Sequence, residues 1–120
     1  MLSKENRLVK KTDFSEVRNL GRKYFNPLFT VMILEKNNED APQFGFIVTN
    51  RLSKKATERN STRRVLRQVI RLLLPRIKKG QRLVFWAKKI LTKQESRTIG
   101  SEIEKIFFQA KILNDKTISS

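Results

Sequence analysis

One stretch constrains this chain more than any other: residues 59–73, which read RNSTRRVLRQVIRLL. Placed on a helix at about 100° per residue, Arg59, Asn60, Arg63, Arg64, Arg67 and Arg71 fall within an arc of about 140°. Val65, Leu66, Val69, Leu72 and Leu73 fill most of the opposite side. A helix divided in this way buries one side and leaves the other to water or a polar partner. The spacing predicts a helix over 57–74, ended or kinked at Pro75. Arg63, Arg67 and Arg71 are i,i+4 neighbours, and like charges at that spacing cost a few tenths of a kcal/mol per pair. Glu58 is the only carboxylate nearby. Every cation of the stripe is arginine, whose planar fork grips two phosphate oxygens and stacks on bases. Asn60 adds an amide that both donates and accepts.

The bias extends over the whole chain. Its 120 residues hold 27 Lys plus Arg against 11 Asp plus Glu, a net charge of +16. A domain with that surplus repels itself unless a polyanion is near. A membrane-surface protein would gather its cations on one long amphipathic helix with aromatic edges. Here they are spread along the chain and densest on the arginine helix, which points to nucleic acid. No apolar run approaches the roughly 20 residues that span a membrane. The start, MLSKENRLVKK, lacks the apolar segment of a signal peptide, so a cytoplasmic protein is expected.

The chain has no cysteine and no histidine. That removes disulfides, zinc knuckles and thiol nucleophiles, together with the commonest general base. Two-metal hydrolysis needs clustered carboxylates. Glu35, Glu39 and Asp40 lie at or near a turn, and Glu102 and Glu104 point to different helix faces. Catalysis by the protein alone is therefore disfavoured.

The length suits one domain, 1–120, with about 1–11 and 114–120 expected to be flexible. A short helix is predicted over 12–20, capped by Thr12 and ended by Gly21 in the left-handed region. Its Phe14, Val17 and Leu20 share one side. FNPLFTVMILE, 25–35, reads as a strand apolar on both faces, and FGFIVTN, 44–50, as a second. The turn-rich KNNEDAPQ between them suggests a hairpin. RLVFWA, 82–87, is a third strand. Thr92 and Glu95 have capping-box spacing and open a last helix to about residue 113. The order helix, strand, strand, helix, strand, helix gives an α+β sandwich, a mostly antiparallel sheet with helices packed on it.

At RNSTRRVLRQ the chain resembles the ribonuclease P protein subunit family, whose signature is RN-x-x-(K/R)-R-x-x-R. Arg59, Asn60, Arg63, Arg64 and Arg67 fall on its positions. Upstream, Arg7, Leu8, Asp13, Phe14, Val17 and Gly21 match the family's R-L-x-x-x-x-D-F-x-x-V-x-x-x-G segment. Gly45 to Val48 match its G-x-x-V strand, and RLVFWAKK stands where its last strand lies.

The resemblance implies a sandwich with a left-handed crossover around the arginine helix. It implies a protein that does not cleave RNA itself but assists a catalytic RNA subunit. Magnesium would be held by that RNA and the substrate, with none bound by the protein alone. The partners implied are ribonuclease P RNA and precursor transfer RNA, with no membrane and no DNA. Arg59, Asn60, Arg63, Arg64, Arg67 and Arg71 would face the RNA subunit. Arg51, Lys54 and Lys55 would be phosphate contacts. Phe14 would line a cleft for the 5′ leader, where a flat aromatic suits base stacking. On the residues alone, the preferred reading is that Phe14 packs the short helix onto the sheet. Arg18 stands where the family usually has a second aromatic, and Met32 where the sheet often has one; both are carried as cleft candidates. A basic RNA-binding protein of ribosomal-protein type would also account for the charge, but would not require the D-F segment around Phe14.

Overall fold

Two segments carry apolar side chains at consecutive positions, and both take the interior of a sheet, where each face needs covering. In the computed structural model, which describes residues 2–114, these are β2 (Phe29–Glu35) and β4 (Gln81–Ala87). They pair antiparallel with Val31 opposite Phe85. The remaining elements are α1 (Lys11–Leu20), β1 (Arg22–Phe25), β3 (Gln43–Ile47), α2 (Ala56–Leu73) and α3 (Ser96–Ala110). The sheet order is β1-β2-β4-β3.

The strands sort their side chains by alternation. Phe29, Val31, Ile33, Leu83 and Phe85 form the main core with Leu66 and Ile70 of α2 and Ile99, Ile103 and Phe107 of α3. Met32 and Val84 point the other way and pack with Val17 of α1 and with Leu8. The sheet is thus a middle layer, with α2 and α3 below and the short α1 above. Lacking length, α1 depends on that docking. Polar groups fix it further: Arg82 bonds Asp13 at 3.2 Å and Glu16 at 3.4 Å, and Lys36 bonds Glu16 at 3.1 Å.

The α+β sandwich holds, with corrections to its anatomy. A fourth strand, β1, precedes the others, because Asn26 and Pro27 break the apolar run into a hairpin of β1 with β2. The Asn26 side chain accepts from the Leu28 N–H at 2.8 Å and so shapes that turn. The expected hairpin of β2 with β3 does not form. β4 inserts between them and pairs parallel to β3, with α2 as the crossover. The order is therefore α, β, β, β, α, β, α.

The start of the chain is not loose over the residues described. Leu2 and Leu8 are buried on opposite faces of the sheet. The Asn6 amide donates to the Pro42 carbonyl at 2.7 Å, and the Leu8 N–H to the Phe44 carbonyl at 2.9 Å. This strap covers the open edge of β3, where unpaired backbone groups would otherwise face solvent. At the other end, the Asn114 N–H donates to the Arg76 carbonyl at 2.7 Å. The rest of the expected flexible tail, 115–120, lies outside the described residues.

Helix ends also differ. α1 starts at Lys11 with Lys10 in the capping position and no side-chain cap, so Thr12 lies inside it. Gly21 is extended, with φ −73°, rather than left-handed. Its glycine answers crowding instead: a Cβ there would come 2.5 Å from the Val17 carbonyl oxygen and 3.0 Å from that of Ile33. The capping box of Thr92 and Glu95 is present and leads through a 3-10 turn into α3. α3 stops at Ala110, short of 113, with Lys111 left-handed at φ 61°.

Candidate nucleic-acid interface

The arginine helix divides as the wheel requires, but rotated. Thr62, Val65, Leu66, Val69, Ile70 and Leu73 are buried. Leu72, expected in the core, is 78% exposed, while Ile70 takes a place against the sheet. Ile70 lies only about 20° from Arg59 on the wheel. The buried arc therefore reaches into the arginine stripe and splits it. Arg59, Arg63 and Arg67 are half-buried; Asn60, Arg64 and Arg71 are exposed.

The half-buried members are held by neutral groups. Arg59 donates to the Ser53 carbonyl at 2.9 Å. Arg63 donates to the Asn60 side-chain oxygen at 3.0 Å and to the Val48 carbonyl at 3.4 Å. The Arg67 guanidinium lies 5.8 Å from the centre of the Phe46 ring, a cation–π distance. Burial, then the charges of Arg63, Arg7 and Arg64, hold Arg67 below the usual arginine value. Among the described residues no carboxylate forms an ion pair with any arginine of α2. Asp13, Glu16, Glu95, Glu102 and Glu104 all pair with cations elsewhere. A row of arginines crowded in this way gains from any anion that settles on it.

Further cationic positions join the row. Arg7, on the N-terminal strap, adds its positive charge to that of Arg63 in the surroundings of Arg67. Arg51, Lys54 and Arg59 line a shallow depression with Asn50 beside the start of α2. Lys55 is exposed, and its carbonyl accepts from the Glu58 and Arg59 N–H groups in the first turn of α2. Glu58 itself accepts from the Ser53 hydroxyl and turns toward the loop.

A second feature lies on the opposite face of the sheet. Beside α1 opens a cleft of about 390 Å³ lined by Arg18, Lys23, Met32, Trp86 and Lys88, with Asn19 and Thr30. Arg18 and Met32 thus border the same opening. Phe14 sits one turn earlier on α1, half-buried, with its ring against Gly45 and the cluster of Leu8, Val17, Met32 and Val84. A Cβ at Gly45 would collide with that ring, which accounts for glycine in this strand. Phe14 therefore supports the cleft wall and is not among the residues that line the opening.

Trp86 escaped notice in the sequence, where it follows the apolar run LVF. Alternation puts it on the α1 side with Val84, and the Arg18 guanidinium lies 5.1 Å from its ring centre. Arginine and indole together form a flat cationic platform of the kind that holds unpaired bases. Lys23 and Lys88 were likewise missed; only strand pairing brings them to the cleft. No cluster of three or more carboxylates able to hold a metal occurs among the described residues, and none of their helices is long and apolar enough to cross a membrane.

Sheet, strap and helices define a small basic α+β domain with an arginine-bearing crossover helix on one face and a cationic aromatic cleft on the other. The chain belongs to the ribonuclease P protein family: the family profile described as Ribonuclease P matches residues 2–111. The ribonuclease P protein component of Pseudanabaena sp. (strain PCC 6903) is 31% identical over 114 residues, covering 95% of this chain and 98% of that protein. That of Fusobacterium nucleatum subsp. nucleatum is 30% identical over 112 residues, covering 90% and 99%. The solved RNase P protein of Staphylococcus aureus superposes with a TM-score of 0.77 at 22% identity, over 92% of this chain and 100% of that one. The RNase P protein from Thermotoga maritima gives 0.70 at 25% identity, over 83% and 93%.

Proposed function

We propose that this chain is the protein subunit of a ribonuclease P, which binds the catalytic RNA through α2 and holds the 5′ leader of precursor transfer RNA in the cleft beside α1. The observation that carries this reading is the separation of two cationic surfaces by the sheet. Arg63, Arg64, Arg67 and Arg71, with Arg7, present charge without acidic partners and suit a folded RNA backbone. Arg51, Lys54 and Lys55 extend that contact. Arg18, Met32 and Trp86 offer a narrow apolar floor and a stacking platform, which suits an unpaired strand read without regard to sequence. In this reading Phe14 acts through position, holding α1 against Gly45.

Cleavage then belongs to the RNA subunit, and the protein contributes binding and alignment of the substrate. Magnesium is assigned to the RNA and the substrate. Asp13 and Glu16 of α1 pair with Arg82 and Lys36. The test is cleavage of precursor transfer RNA by its ribonuclease P RNA at low magnesium, with and without this protein. A large rise in rate on adding the protein is expected. Salt-sensitive RNA binding with no rise would leave a basic RNA-binding domain of another kind.

A further inference from the structure

Phe25 is 73% exposed at the end of β1, next to the cleft. Single exposed aromatics are ordinary; what distinguishes Phe25 is its row. It pairs with Thr30 of β2, and Thr30 pairs with Trp86 of β4. Residues paired across antiparallel strands point to one face. Phe25, Thr30 and Trp86 therefore lie side by side on the α1 face, the two aromatics about two strand spacings, roughly 9–10 Å, apart. α1 covers the neighbouring row through Met32 and Val84 and reaches this one only at Trp86, through Arg18, leaving Phe25 open.

The flank is cationic. The Lys88 ammonium lies 5.6 Å from the Phe25 ring centre, and Lys88 also lines the cleft beside Trp86. Its backbone is fixed, since the Lys88 N–H donates to the Leu28 carbonyl at 3.0 Å. The hairpin that carries Phe25 is fixed too: the Asn26 amide donates to Glu102 of α3 at 2.8 Å, and the Asn26 N–H to the Phe29 carbonyl at 3.0 Å. An aromatic on a hydrogen-bonded hairpin beside an ammonium offers a face to a base and a charge to a phosphate.

We infer that Phe25 and Lys88 form a second nucleotide subsite, which continues the cleft past Trp86 across β1 and takes one further unpaired nucleotide of the bound strand. The inference rests on the leader reading of the cleft. It makes this chain sensitive to leader length: a leader long enough to reach Phe25 gains a stacking contact that a shorter one lacks. The polar Thr30 between the two aromatics leaves room for the backbone to pass.

The test uses the protein assembled with its ribonuclease P RNA. Binding constants are measured for precursor transfer RNAs whose leaders grow one nucleotide at a time. Wild type is expected to gain affinity in more than one step. Phe25→Ala removes the later step, about tenfold on long leaders, and matches wild type on leaders too short to reach it. Phe25→Tyr keeps the step. Thermal melts check that Phe25→Ala folds as wild type. Equal affinities of Phe25→Ala and wild type on every leader, or an equal loss on every leader, would overturn the subsite while leaving the leader reading intact. A wild type blind to leader length would overturn both.

Discussion

The guanidinium of Arg18 lies 5.1 Å from the centre of the Trp86 ring, so α1 and β4 meet at the mouth of the cleft through a cation and an indole. If this pair is the stacking platform, its loss is felt only by substrates with a leader. Trp86→Ala should weaken binding of leader-bearing transfer RNA by roughly tenfold, on the scale of ~1–3 kcal/mol per stacked base. Binding of mature transfer RNA and assembly with the RNA subunit should be unchanged. Paired titrations of the assembled enzyme with precursor and mature transfer RNA make the comparison.

Phe14 and Gly45 make a steric prediction. Gly45→Ala places a methyl where the Phe14 ring lies. Overpacking of this kind costs about 1–3 kcal/mol and should appear in denaturant unfolding. Because the clash is with one side chain, Phe14→Ala made in the Gly45→Ala background should cost less than Phe14→Ala in wild type. Equal costs would show that the two residues do not meet.

The arginine row should respond to salt. Arg64 is exposed and without an acidic partner, so Arg64→Ala should leave the melting temperature near that of wild type. Affinity for the RNA subunit should fall, and the slope of log affinity against log salt should drop by about one. Arg67→Ala should weaken assembly as well. It also removes the contact with Phe46, so a modest change in stability is expected beside the binding loss.

Glu95 provides a pH prediction. Its carboxyl is held below the usual value, first by the backbone N–H of Thr92 and then by Lys89. A carboxylate depressed in the folded state stabilises it above the unfolded-state value, and that stabilisation is lost as pH falls through the folded one. Glu95→Gln should therefore narrow the gap in stability between neutral and acid pH. The check is a series of thermal melts across the carboxylate range.

How far the sequence reveals all this depends on which physical signal each part carries. The amphipathic α2 declares itself through the 3.6-residue period, yet the wheel places the centre of its buried side about 30° away from where it lies. Ile70 sits among arginines in projection but is drawn into the core by the sheet, and Leu72 is left outside. β2 and β4 are visible as apolar runs. β1, RKYF, is short and largely exposed and carries no alternation to notice. The order of strands was misread because KNNEDAPQ has the composition of a hairpin turn. What decides against that hairpin is β4: apolar on both faces, it must lie inside the sheet, so β3 is pushed to the edge.

The cleft is a product of register. Arg18 and Met32 could be named from the resemblance. Trp86 and Lys88 stand at and just after the end of β4 and Lys23 in β1, and nothing local to either segment marks a site. Pairing of Thr30 with Trp86, and of Lys23 with Met32, is what assembles them. The strap was missed for a similar reason: MLSKENRLVKK looks loose because its partners, Pro42 and Phe44, lie far along the chain.

Trp86 is the single tryptophan of the chain, and this permits the most direct test. Its fluorescence is followed in the protein assembled with ribonuclease P RNA while precursor transfer RNA is added. Leader-bearing substrate should quench or shift the emission as a base stacks beside the indole, and mature transfer RNA lacking the leader should leave it unchanged. An equal response to both, or none to either under conditions where the precursor is bound and cleaved, would contradict the placement of the leader in this cleft.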